Sequence, residues 1–145
     1  MKRERRRART LALQTLYEVD TVGHPATQVL ARHIDGNQSL SENSTTFMKD
    51  LVQGVLKLAP RLDEYIAFCA PEWPVDQIAV LDRNILRMAL WEIAVSEETP
   101  LKVAINEAVE LAKRFGSDSS PRFVNGVLGT LAKRSSEIRQ QFLSN

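Results

Sequence analysis

The sequence predicts an all-α fold, a compact bundle of about seven helices. Most segments carry apolar residues at intervals of three and four, which is the spacing of one helix face. With only six glycines and six prolines, the chain leaves little room for a β fold dense in turns. Its 145 residues suffice for a sizeable core, so one domain spanning residues 1–145 is expected, with a basic N-terminal arm at residues 1–9.

The composition is that of an ordinary globular protein, with 43% hydrophobic and 26% charged residues. No apolar run approaches the roughly 18 residues that span a bilayer, and Glu18 and Asp20 follow the basic N-terminus too soon for a signal peptide. Cys69 is alone, so no disulfide can form within the chain. These features are compatible with a reducing cytosol, and we expect a cytoplasmic protein without membrane contact.

Charge is unevenly distributed along the chain. Six basic residues and one acidic residue give residues 1–9 a charge of +5, whereas thirteen basic and seventeen acidic residues leave −4 on the other 136. A basic arm on a mildly acidic body indicates a local anion site, for which nucleic acid is the commonest partner.

The first helix is predicted from residue 3 to about residue 21, with alanines and leucines at helical spacing. Arg6, Thr10 and Tyr17 share the border of its buried face. Arginine supplies affinity for phosphate, and tyrosine supplies a plane on which a base can stack. The residues alone leave open a plainer interpretation, in which the arm is solvated and Tyr17 lies at the edge of the core.

Two further helices are predicted before residue 60. Residues 26–35 form a short second helix, and residues 47–59 form a third, which Thr45 or Thr46 can cap. Gly54 lies in the middle of the third helix, where it costs about 1 kcal/mol relative to alanine. A close helix crossing is one explanation for a glycine at this position.

Pro60 should end or bend the third helix, which leaves residues 61–70 as a fourth.

The fifth helix is expected to be central. The fifth, from about residue 76 to residue 95, is apolar over more than half of its circumference. Asp82 and Arg83 on it therefore need solvent, each other or a partner chain.

Residues 100–131 are predicted to form two helices joined by a tight polar corner. Thr99 is expected to cap the first of them, with Pro100 as its first helical residue. Gly116 should end that helix by adopting the left-handed conformation. Residues 133–145 are expected to add a short C-terminal helix.

No catalytic constellation emerges from the sequence. His24, His33 and Cys69 do not make a zinc site, and the chain lacks a phosphate-binding loop and a nucleophile elbow. Asn106 and Glu107 are interpreted as a hydrogen-bonded structural pair that clamps neighbouring helices. We therefore expect a binding protein rather than an enzyme, without metal or cofactor.

The segment VAINEAVELAKRFG, followed closely by RFVNGVLG, resembles the signature of the transcription antitermination protein NusB family, and the order of elements fits nearly the whole chain. The resemblance implies a factor that binds the single-stranded boxA segment of ribosomal RNA transcripts together with the ribosomal protein NusE. It also implies a wider antitermination complex with RNA polymerase.

The family's functional residues carry over by position. RRRAR at residues 5–9 and the LYE that follows match the family's arginine-rich first helix. Ser119 and Trp91 stand where the family often has an acid and a tyrosine. The implied RNA-binding residues are Lys2, Arg3, Arg5, Arg6, Arg7, Arg9, Thr10 and Tyr17, and the implied partner-binding residues are Asp82, Arg83, Trp91, Ser119 and Phe123.

Two other functions compete with this interpretation. The same helical module forms the N-terminal, RNA-positioning domain of some RNA cytosine methyltransferases, which is disfavoured because no cofactor domain follows residue 145. A helical DNA-binding protein is disfavoured because no helix-turn-helix stands out and the basic residues lie on a terminal arm. The sequence leaves open which bases are read and whether the free protein is a monomer or a homodimer.

Overall fold

The fold is built from α-helices. The structure is a computed structural model that describes residues 2–96 and 98–144, and of Lys2 it describes only the backbone. No strand occurs within these ranges, which confirms the all-α prediction. The helices there are α1 (Lys2–Val22), α2 (Ala26–Asp35), α3 (Glu42–Cys69), α4 (Val80–Ala94), α5 (Leu101–Phe115), α6 (Ser120–Ala132) and α7 (Ser135–Leu143), with a 3-10 turn at Val75–Gln77.

The helix α3 joins two segments that were predicted to be separate. It runs from Glu42 to Cys69 without a break at Pro60, so the boundary predicted there is wrong. Pro60 is exposed and removes one backbone donor from the helix, while Val55 before it and Leu62 after it are buried in the same core. Burial on both sides of the proline stabilises one continuous helix.

The start of α3 is earlier than predicted. Ser41 occupies the N-cap position, and its hydroxyl accepts a hydrogen bond from the backbone N–H of Ser44 at 3.1 Å. Thr45 and Thr46 lie inside the helix, so the prediction that one of them caps it is wrong. Serine and threonine offer the same capping chemistry, and the local sequence does not distinguish between them.

The starts of α4 and α5 also differ from the prediction. The helix α4 begins at Val80, because the backbone at Ile78 is extended, with φ −71° and ψ 136°. Thr99 does not cap α5, since its hydroxyl donates to Glu92 Oε1 at 2.8 Å and Pro100 occupies the N-cap position. The buried Glu92 carboxylate therefore accepts a hydrogen bond from the Thr99 hydroxyl, which the sequence had predicted to cap the helix.

Gly116 ends α5 as predicted, but for a different reason. Its φ of −89° and ψ of −170° lie in the extended region, so the expected left-handed conformation is wrong. A Cβ at this position would lie 2.5 Å from the Oγ of Ser120. The glycine is therefore required by the tight corner between α5 and α6.

The helix α4 is central, as predicted. It packs against α1, α3, α5, α6 and α7, and its Ile85, Leu86 and Leu90 are fully buried. Gly54 of α3 accommodates the indole of Trp91, because a Cβ there would lie 2.1 Å from Nε1. The predicted close helix crossing at Gly54 is confirmed.

Candidate nucleic-acid and partner interfaces

The arginine-rich arm is the first turns of α1, and its side chains take different directions. Arg9 is 5% exposed, and its Nε and Nη2 donate to the two carboxylate oxygens of Glu92 at 2.9 and 2.8 Å. Its guanidinium also lies 5.1 Å from the centre of the Phe47 ring. Arg9 thus anchors α1 to α4, and its guanidinium is enclosed by the fold.

Arg5 is half-buried on the side of α1 that faces α3. Its guanidinium lies 4.1 Å from the centre of the Phe47 ring, and Nη1 lies 3.6 Å from Glu98 Oε2. Arg5 is therefore stacked and partly neutralised rather than free. The prediction for Lys2 falls on a side chain outside the described residues.

Arg3, Arg6 and Arg7 are exposed. Arg6 has 56% of its side chain exposed, and its Nε donates to Glu107 Oε1 at 2.9 Å. Arg7 donates to the amide oxygen of Asn37, and Arg3 makes no hydrogen bond or ion pair with the described residues. Among the described side chains of the arm, these three arginines are the basic groups that are exposed to solvent.

The exposed face of α1 continues past the arm. Residues 3, 6, 10 and 17 follow one another at intervals of three, four and seven, so they share a helix face. The Thr10 hydroxyl donates to the carbonyl of Arg6 at 3.1 Å and accepts from Arg114 Nη1 at 3.2 Å. Arg114 of α5 thus adds a cation beside the face.

Tyr17 opens onto an apolar groove of about 670 Å³. The ring is 43% exposed, and Leu13, Leu81 and Phe115 line the same groove. Exposed aromatic rings beside arginines offer stacking surfaces for bases next to contacts for phosphates. The face therefore combines the two elements that single-stranded nucleic acid binding requires.

Glu18 lies at the edge of this groove, next to Tyr17. A hydrogen bond from Arg32, and then one from His24 at 2.6 Å, lower the pKa of Glu18 to about 2. The carboxylate is ionised at neutral pH, and Arg32 offsets its charge.

Of the residues predicted to bind a protein partner, Asp82, Ser119 and Phe123 line one groove of about 370 Å³. Trp73, which is 55% exposed, stands edge-on to Phe123 with the ring centres 6.3 Å apart. Asp82 is 8% exposed, and its buried Oδ1 has no hydrogen-bond partner among the described residues. The groove therefore offers two aromatic rings, and one of its lining residues has a buried acceptor without a donor.

Arg83 and Trp91 do not line this groove. Arg83 is half-buried, with Nη1 3.5 Å from the carbonyl oxygen of Val75 and Nη2 3.9 Å from Asp20 Oδ2. Trp91 fills the crossing with α3 described above. Both side chains make contacts within the fold around α4, and neither lines the groove that contains Asp82.

Sequence reasoning missed Arg114, Phe115 and Trp73. Arg114 lies in the last turn of α5, where the helix dipole by itself favours a cation, so its position in the sequence does not indicate an anion site. Which helix Arg114 faces depends on how α5 packs against α1, and local sequence does not contain that information. Trp73 lies between two prolines, and an exposed tryptophan in such a linker is the signal that could have identified it.

Two classes of site receive no support from the described residues. Groups of three or more His, Cys, Asp or Glu side chains placed to hold a metal do not occur among them. None of the helices within residues 2–96 and 98–144 has the length and apolar character that crossing a bilayer requires.

The family model that matches this sequence is that of the NusB family, and it covers residues 6–133. The chain belongs to the NusB family. It is 49% identical over 138 residues to the transcription antitermination protein NusB of Roseiflexus sp. (strain RS-1), which covers 94% of this chain and 96% of that protein. It is 47% identical over 141 residues to NusB of Dehalococcoides mccartyi (strain CBDB1), with coverage of 97% and 98%.

Solved structures of NusB proteins share the fold. T. maritima NusB superposes with a TM-score of 0.82 at 29% identity, covering 89% of this chain and 90% of that chain. A crystal structure of the antitermination factors NusB and NusE in complex with dsRNA contains a chain with a TM-score of 0.79 at 23% identity, with coverage of 97% and 99%.

Proposed function

We propose that this chain is an RNA-binding transcription antitermination factor that binds single-stranded boxA RNA of ribosomal RNA transcripts together with the ribosomal protein NusE. Family membership supports the class of function, because this chain aligns with two curated antitermination proteins over 96% and 98% of their lengths. That match favours a binding protein over the RNA-positioning domain of a methyltransferase. The function further implies a wider complex with RNA polymerase.

The observation that carries the RNA proposal is the exposed face of α1. Arg3, Arg6 and Arg7 lie on the first turns, and Tyr17 follows along the helix beside an apolar groove. Phosphates contact the guanidinium groups, while a base stacks on the tyrosine ring. Single-stranded RNA suits this face because its bases are free to stack.

The distribution of charge limits this interface to a short length of RNA. Residues 1–9 carry +5, and the remaining 136 residues carry −4. Glu92 already neutralises Arg9 inside the fold, and Glu98 approaches Arg5. The affinity for RNA alone is therefore modest and depends strongly on salt.

The salt dependence of RNA binding tests this proposal. Replacing Arg3, Arg6 and Arg7 with alanine should lower the slope of log K against log salt by up to about 2, since single-stranded RNA releases about 0.7 counterions per neutralised phosphate. The measurement is fluorescence anisotropy with labelled boxA RNA at several salt concentrations, with circular dichroism as the check on folding.

A matched control removes the same charge elsewhere. Lys57, Lys133 and Arg134 are exposed on α3 and at the junction of α6 and α7. Their triple alanine variant changes the net charge equally and should leave the slope as in the wild type. An equal loss of slope in both triple variants would show that the arm is not the RNA site.

We further propose that NusE binds in the groove lined by Trp73, Asp82, Ser119 and Phe123. Large aromatic side chains at the centre of an interface often carry much of the binding energy. The unpaired Oδ1 of Asp82 favours a partner that supplies a cationic donor, since a buried acceptor without a donor is unfavourable. A basic ribosomal protein fits both features, and docked there it would extend the positive surface for the same RNA.

A further inference from the structure

Glu107 is an acidic residue directly behind the proposed RNA interface. It lies on α5, its side chain is 8% exposed, and its Oε1 accepts the hydrogen bond from Arg6 Nε at 2.9 Å. Simple electrostatics would make such a carboxylate unfavourable for RNA binding, because it repels phosphate. Its hydrogen bond with the exposed Arg6 indicates a different role.

The pairing of Arg6 differs from that of Arg9. Arg9 donates from both Nε and Nη2 to the Glu92 carboxylate, and its side chain is buried. Arg6 uses Nε on Glu107, and neither of its terminal nitrogens makes a hydrogen bond with the described residues. With 56% of the Arg6 side chain exposed, the end of the guanidinium is left for an external ligand.

We propose that Glu107 is a positioning residue that fixes the Arg6 guanidinium so that its two terminal nitrogens bind one RNA phosphate. A planar guanidinium held through Nε presents two parallel donors to phosphate oxygens, which a flexible ammonium does not do. Holding the side chain before RNA arrives also lowers the conformational entropy lost on binding. This inference rests on the proposed RNA-binding function and assigns a residue outside the arm to it.

A positioning role and simple electrostatics predict opposite changes in RNA affinity for the variant Glu107→Ala. Removing a negative charge beside RNA should tighten binding if only the electrostatic field matters. If Glu107 positions Arg6, the variant should bind on the order of 5–10-fold more weakly, the size expected for about one hydrogen bond. Glu107→Gln should stay within about twofold of the wild type, because the amide oxygen can accept from Nε.

The experiment titrates single-stranded boxA RNA into the full chain. The variants are Glu107→Ala, Glu107→Gln, Arg6→Ala and the double variant of Arg6→Ala with Glu107→Ala. The Glu107→Ala effect should vanish in the Arg6→Ala background, because a positioning residue acts only through the residue it holds. Equal or tighter binding by Glu107→Ala, or an equal loss in both backgrounds, would overturn the inference while the proposed function stands.

Arg6→Lys provides a second test that leaves the buried Glu107 unchanged. It keeps the charge but lacks the paired donors, so binding should weaken nearly as much as in Arg6→Ala. Arg134→Lys is the matched control, since Arg134 is exposed at the junction of α6 and α7, outside the proposed RNA interface, and this variant should bind as the wild type does. Wild-type affinity in Arg6→Lys would overturn the inference, and absence of RNA binding by the wild type would overturn it together with the proposed function.

Discussion

Arg9→Ala is expected to lower the free energy of unfolding by about 3–5 kcal/mol, the cost of breaking a buried ion pair. The change leaves the Glu92 carboxylate, with 3% of its side chain exposed, without its two guanidinium hydrogen bonds. Among the described residues, only the Thr99 hydroxyl, at 2.8 Å, still donates to it. Urea denaturation followed by circular dichroism measures the effect.

Two companion variants distinguish pairing from simple loss of charge. Arg3→Ala removes the same charge from an exposed position and should stay within about 0.5 kcal/mol of the wild type. Replacing Arg9 by methionine and Glu92 by leucine together should restore most of the stability, because well-packed apolar side chains often substitute for a buried pair. A loss below about 1 kcal/mol in Arg9→Ala would mean that the pair does not anchor α1.

Ile85→Ala is expected to cost about 2–5 kcal/mol, because it removes buried methyl groups and leaves a cavity. Ile85 is fully buried on α4, which contacts five other helices. Leu81 on the same helix is half-buried, so Leu81→Ala should cost less than Ile85→Ala. The measurement is the same urea titration, and equal or reversed losses would contradict the central position assigned to Ile85.

The helices were largely predictable because their apolar spacing is a local property of the sequence. The same local rules failed where tertiary packing and side-chain hydrogen bonds decide the outcome. Pro60 suggests a helix end, but burial on both sides keeps α3 continuous. Thr99 suggests an N-cap, but Glu92, which lies seven residues earlier, takes its hydroxyl.

The candidate site was likewise predicted only in part. Composition predicted a basic arm, but not that Arg9 is enclosed by the fold, because its partner Glu92 is 83 residues away. Glu107, predicted to clamp neighbouring helices in a pair with Asn106, accepts a hydrogen bond from Arg6 Nε of α1. Asn106, predicted to share the clamp, is exposed instead.

We propose that RNA and a protein partner bind two separate surfaces of this chain and that each strengthens the binding of the other. Thermodynamic linkage requires that each ligand tighten the other by the same factor, and typical couplings are about 1–3 kcal/mol, or roughly 5–150-fold. Asp82→Lys reverses the charge in the partner groove and leaves the α1 face unchanged. Asp50→Lys, at an exposed position on α3, is the matched charge reversal.

The most direct measurement is the affinity for boxA RNA with and without NusE, in the wild type and in Asp82→Lys. We expect NusE to tighten RNA binding by the wild type and by Asp50→Lys, whereas Asp82→Lys should bind bare RNA normally and gain nothing from NusE. Phe123→Ala, which introduces no charge, should behave as Asp82→Lys does. Equal RNA affinity with and without NusE in both the wild type and Asp82→Lys would contradict the two-surface account.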